Sequence, residues 1–160
     1  MKASIICHSK SGYTEKMAGL IKKGMESQGL EVKTFSIDAV DEEWPKESKC
    51  VIVGTPTYYA DLSADMKVFL ETLGKYGVAG KLGGAFAAAR FIYGGGESAT
   101  STILHHMLVC GMMVYSSGGT EKPPIHLGPV AINDMEQTEA VFEDYGRRMA
   151  KQAKAVFKDR

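Results

Sequence analysis

The chain has 160 residues, 44% hydrophobic and 24% charged, and its 19 basic side chains balance 19 acidic ones. Such a chain forms one globular domain that buries roughly two-thirds of its unfolded surface, and its neutral balance argues against a nucleic-acid partner. No run approaches the roughly 18 apolar residues of a membrane span, and Met1-Lys2 leads straight into an apolar strand without a secretory leader, so the expected location is the cytoplasm.

Ala3 to His8 is a short β-branched run that predicts a buried first strand. The loop Ser9-Lys10-Ser11-Gly12-Tyr13-Thr14 follows it and opens a helix over Glu15–Met25, where Met17, Leu20, Ile21 and Met25 recur at helical spacing. Gly29 is a candidate C-cap before a second strand, Leu30 to Ile37. Asp38 to Ser48 contains Trp44-Pro45 and leaves room for a turn or two of helix. Lys49 to Gly54 is the most uniformly apolar run, as expected of a central parallel strand. Leu62 to Leu73 reads as a helix with Ser63 as N-cap. Gly83 to Ala89 is a fourth strand of small residues, Ser98 to Val109 a helix and Met112 to Ser116 the last strand. Ser117 to Asn133 is a long loop holding Pro123-Pro124 and Gly128-Pro129, and Asp134 to Lys158 is the closing helix.

This alternation predicts an α/β fold of one domain over residues 1–160: a three-layer sandwich whose five-stranded parallel sheet has the order 2-1-3-4-5. In that order a ligand binds beyond the carboxyl ends of strands one, three and four. The three loops at that edge fit such a role. The first combines hydroxyls with a helix N-terminus, the usual means of binding phosphate without a metal. Its spacing matches neither a P-loop nor a dinucleotide fingerprint. The second, Gly54 to Asp61, offers Pro56, Thr57, Tyr58 and Tyr59; the third offers Arg90, Phe91, Tyr93, Gly94, Gly95 and Gly96. Aromatic faces and permissive backbone suit a planar, partly polar ring.

The remaining candidates read as structural. Cys7, Cys50 and Cys110 are scattered, without a C-x-x-C pair, and suit core positions in a reducing compartment. His8, His105, His106 and His126 show no metal-ligand spacing, so no metal is expected. No nucleophile elbow surrounds Ser9 or Ser11, and no catalytic side chain is assigned. A receiver-type signalling domain would need acidic residues where this chain has Cys7-His8 and Gly54-Thr55.

Ser9, Ser11 and Thr14 around Gly12 resemble the FMN-phosphate loop of flavodoxins. Gly54-Thr55-Pro56-Thr57-Tyr58-Tyr59, Met66-Lys67-Val68-Phe69-Leu70, Gly80-Lys81-Leu82, Gly94-Gly95-Gly96-Glu97 and Gly111-Met112-Met113-Val114 then appear in order. Together they resemble the flavodoxin-like NAD(P)H:quinone oxidoreductases over nearly the whole chain. The resemblance implies non-covalent FMN, its phosphate at Ser9–Thr14 and its ring between Pro56–Tyr59 and Arg90–Gly96. It also implies NAD(P)H-dependent reduction of a quinone or similar acceptor, with a homodimer open because such relatives often pair. The departures are specific: Val109-Cys110 stand where those reductases carry a histidine, Ser11 replaces a tyrosine, and Gly118 or Gly119 replaces another. These support an alternative, a flavodoxin-type electron carrier between protein partners.

Overall fold

In the computed structural model, which describes residues 1–133 and 135–158, the most apolar runs, Lys2–Cys7, Cys50–Tyr58 and Leu82–Ala89, become strands buried on both faces. β1 (Lys2–Cys7) lies between β2 (Glu31–Ser36) and β3 (Cys50–Tyr58), all parallel, with Ile5 in register with Thr34 and Ile52. β3 runs past the expected Gly54 and turns at Tyr59-Ala60 into a short antiparallel β4 (Asp61–Leu62). β5 (Leu82–Ala89) pairs with the other side of β3.

Two short strands share the place beyond β5. β6 (Met113–Val114) pairs with Leu82 and Gly83, and β7 (Val130–Ile132) pairs with Ala87 to Ala89, both parallel. The order is thus the expected 2-1-3-4-5, with its fifth position divided. Residues 115–129 form an excursion from that position, so Val130–Ile132 correct the expectation of an unbroken loop to Asn133. Three residues are too few to show a period, which is why the return strand was hidden among glycines and prolines.

Period-two alternation sends neighbouring side chains to opposite layers. Ile5, Ile52 and Phe86 face α1 (Tyr13–Glu26) and α5 (Glu136–Val156), while Ile6, Val51 and Val53 face α3 (Ala64–Leu70) and α4 (Gly96–Val109). The predicted start of the last helix, Asp134, lies outside the described residues. α1 and α5 cross at Gly24 and Gly146: a Cβ at Gly24 would lie 1.9 Å from the Glu143 carbonyl oxygen, and one at Gly146 2.2 Å from that of Ile21. Larger residues would hold these helices apart.

Two buried cations fasten the connections. Lys81 Nζ donates to the carbonyls of Pro45 (2.6 Å), Lys46 (2.5 Å) and Ser48 (2.8 Å) at the end of the short helix α2 (Glu43–Glu47). Arg148 of α5 pairs with Asp144 and donates to Ser117 Oγ (2.9 Å) and to the carbonyls of Lys122 (2.6 Å) and Pro123 (2.9 Å). It thereby pins the excursion to α5. No helix of the described residues is long and apolar enough to cross a membrane.

Candidate functional site

The first loop is shaped by its own hydroxyl. Ser9 Oγ accepts from the backbone N–H of Gly12 (3.1 Å) and of Glu15 (3.3 Å), curling the chain onto the start of α1. Gly12 closes that curl with φ +88°, and a Cβ there would meet no atom within 4 Å. Helix N-terminal N–H groups lack carbonyl partners within their own helix and carry partial positive charge. Ser9 therefore builds the loop, while Ser11, Tyr13 and Thr14 line the cleft beside it. Tyr13 Oη also donates to the Ile132 carbonyl (3.1 Å), tying the loop to β7.

That cleft, about 250 Å³, brings together residues from all three predicted loops: Ser11, Tyr13 and Thr14 from the first, Pro56, Thr57 and Tyr58 from the second, and Arg90 from the third. Ala88, Ala89 and Asn133 complete it. Sequence reasoning missed Asn133 because the return strand was not read. Once Val130–Ile132 is a strand, the residue after it must reach the same sheet edge. Lys10 Nζ stands 5.5 Å from the Tyr58 ring centroid, at cation–π range.

The second loop is a tight hairpin whose two turn residues, Tyr59 (φ 50°) and Ala60 (φ 63°), are both left-handed. Such turns favour asparagine and glycine, and each side chain forced into this region costs of order 1 kcal/mol. Tyr59 stands fully exposed at the tip. The third loop leans on this hairpin: a Cβ at Gly95, itself at φ +89°, would lie 2.5 Å from Ala60 Cα. The middle glycine thus permits loop-to-loop contact. Phe91, Ile92 and Tyr93 are exposed along the rim, and Tyr93, Gly95 and Gly96 line an adjoining groove of about 500 Å³ against Val130 and Ile132.

One atom of the cleft is unpartnered. Thr57 Oγ1 is buried without a hydrogen-bond partner among the described residues. A buried hydroxyl left so costs about 1–3 kcal/mol, and a polar ligand in the cleft would satisfy it. The lining offers hydroxyls, aromatic faces and a guanidinium, the chemistry of a site whose ligand brings its own reactivity.

The other candidates lie elsewhere. His126 belongs to a separate cleft of about 470 Å³ with Glu97 and Gln137. His106 Nδ1 rests on the Thr102 carbonyl (2.8 Å) within α4. His8 is buried against Ser63 and Asp65. Burial pushes the Cys7 thiol up to about 12, with the charge of Glu15 adding to the shift, and burial alone does the same at Cys50. Both are packing residues. Among the described residues no three His, Cys, Asp or Glu side chains gather as a metal would require.

Known proteins place this architecture in context. The flavodoxin family model matches residues 5–118. Flavodoxin of Clostridium saccharobutylicum is 44% identical over 160 residues, which cover 98% of this chain and all of that protein. A quinone-type NAD(P)H dehydrogenase of Paraburkholderia phymatum is 27% identical, over 69% of this chain and 67% of its own. Among solved structures, a flavodoxin from the domain Archaea superposes with a TM-score of 0.79 at 28% identity, over 96% of this chain and 99% of its own.

Proposed function

The chain belongs to the flavodoxin family, and we propose on that premise that it binds FMN in the Thr57 cleft and carries electrons between partner redox proteins in the cytoplasm. The Thr57 hydroxyl, buried without a partner among the described residues, supports the binding part of this reading, because a polar ligand in the cleft would satisfy it. The phosphate would sit at Ser11, Gly12, Tyr13 and Thr14 against the first turn of α1, with Ser9 shaping the loop and Lys10 reaching over Tyr58. The ring would lie by Pro56, Thr57, Tyr58 and Tyr59 on one side and by Arg90, Phe91, Tyr93, Gly94, Gly95 and Gly96 on the other. When bound, the isoalloxazine stores and releases the electrons. The protein's part is to bind it, orient it and set the polarity around it.

The carrier reading is supported by the 44% identical flavodoxin, matched along its whole length. Reduction of a quinone by NAD(P)H is the second reading, supported by the more distant quinone-type relative, which matches over two-thirds of its length. Arg90, exposed at the cleft mouth, is the cation available to a nicotinamide-cofactor phosphate in that case. Anaerobic addition of NADPH to FMN-loaded protein separates the two. A carrier keeps its oxidised visible spectrum until dithionite or a partner reductase is added, whereas prompt bleaching by NADPH establishes a hydride site and the reductase reading. Failure to retain FMN at micromolar concentration would overturn both.

A further inference from the structure

His8 follows β1 immediately before the phosphate loop, yet its ring turns to the opposite layer. Ile6, two residues earlier, lies in the α3–α4 core, whereas Cys7 lies in the α1–α5 core. The His8 side chain is 9% exposed; Nδ1 is 2.7 Å from Ser63 Oγ and Nε2 is 3.5 Å from Asp65 Oδ2. Ser63 caps α3, its Oγ accepting from the Met66 N–H (3.2 Å). Its own N–H donates to Thr55 Oγ1 (3.2 Å), and that hydroxyl donates to the Pro56 carbonyl (2.9 Å). A chain of hydrogen bonds therefore runs from His8 through Ser63 and Thr55 into the residue before Thr57.

Counting protons along it fixes the direction. The Thr55 hydrogen is committed to Pro56, and Ser63 Oγ already accepts one N–H, so the Ser63 hydrogen needs an acceptor. His8 Nδ1 is the near one; Thr55 Oγ1 is 3.5 Å away and already accepts. With Ser63 donating to Nδ1, the neutral ring carries its proton on Nε2, facing Asp65. A second proton on Nδ1 would leave the Ser63 hydroxyl without that acceptor. Asp65 is the charged group that meets the ring from α3. Lys10 of the loop reaches over Tyr58, Glu15 of α1 acts on Cys7, and β3 contributes only the uncharged Gly54, Thr55 and Pro56.

We infer that His8 is a positioning residue: its neutral ring fixes the Thr55–Tyr58 segment through Ser63, and its protonation loosens that segment and weakens FMN binding. The affinity part rests on the FMN reading; the effect on the segment does not. Two measurements keep them apart. In amide NMR of the ligand-free protein from pH 8 to 5.5, the range in which an imidazole ordinarily titrates, the Thr55, Thr57 and Ser63 resonances shift with the His8 ring midpoint. In His8→Gln, whose amide oxygen can still accept from Ser63, they do not. FMN affinity over the same range falls about five- to tenfold further in the wild type than in His8→Gln, the worth of one buried hydrogen bond. The variant retains only the decline caused by the phosphate's own second ionisation near pH ~6. Amides that stay still while the ring titrates, or matching affinity profiles for the two proteins, overturn the inference. Loss of FMN binding at every pH defeats the cofactor reading and leaves the NMR test of His8 decisive.

Discussion

At the scale of single residues, the site is defined by what its polar atoms lack or already have. Thr57 Oγ1 lacks a partner among the described residues and Ser9 Oγ accepts two backbone donors, though both hydroxyls read alike in the sequence. Thr57→Val should act with opposite signs on the two states of the protein. Without ligand it removes an unsatisfied buried hydroxyl and should stabilise by about 1 kcal/mol in urea unfolding. With FMN it removes a ligand partner and should weaken binding about tenfold in a fluorescence titration. A loss of stability in the ligand-free variant would show that the hydroxyl is satisfied in solution and that the cleft is not built around a missing group. The hydroxyl-rich loop was legible because residue type and spacing suffice to mark a phosphate cradle. The inward use of Ser9 was not, because it depends on which way a curled backbone aims its amides.

Elements are held apart or together by distances that a single methyl group would violate. The α1–α5 crossing at Gly24 is the clearest case, since a methyl group there would sit 1.9 Å from the Glu143 carbonyl oxygen. Gly24→Ala should lose at least about 2 kcal/mol, the usual cost of overpacking, despite alanine's better helix propensity. Thermal unfolding measures this directly, and an unchanged or higher midpoint would mean that the helices separate freely. Strands one to four and their helices were legible because each carries its own period and caps, as with Ser63, whose hydroxyl does cap α3. The β3–β4 hairpin was hidden because Tyr59-Ala60 is a poor sequence for a turn with two left-handed residues. β7 was hidden because three residues show no period of their own.

For the whole molecule, the buried thiols give stability a pH dependence with a definite sign. Cys7 and Cys50 hold their protons up to about 12 in the folded chain, against an ordinary 9.0. Because the folded values are raised, their contribution is intact below pH 9.0 and is lost as pH rises toward 12, where the unfolded chain releases protons that the folded chain retains. The loss is about 1.4 kcal/mol per thiol per pH unit. Burial also raises the Tyr145 phenol, which adds to the decline at higher pH. Urea midpoints should therefore fall steeply above pH ~9, and Cys7→Ala/Cys50→Ala should flatten the decline. An equally steep fall in the double variant would assign it to other groups. The divided fifth strand has a consequence of another kind, for how copies of this protein meet. A long open strand edge invites a second molecule to add its own strand, the first step of aggregation. Here the last position of the sheet offers two residues in β6 and three in β7, and between them the returning chain passes so close that a Cβ on Gly128 would lie 2.1 Å from the Ala85 carbonyl oxygen. The opposite edge, β2, exposes Glu31 and Lys33. Neither border presents a continuous apolar template, so the excursion that interrupts the strand also shields the sheet from edge-to-edge association.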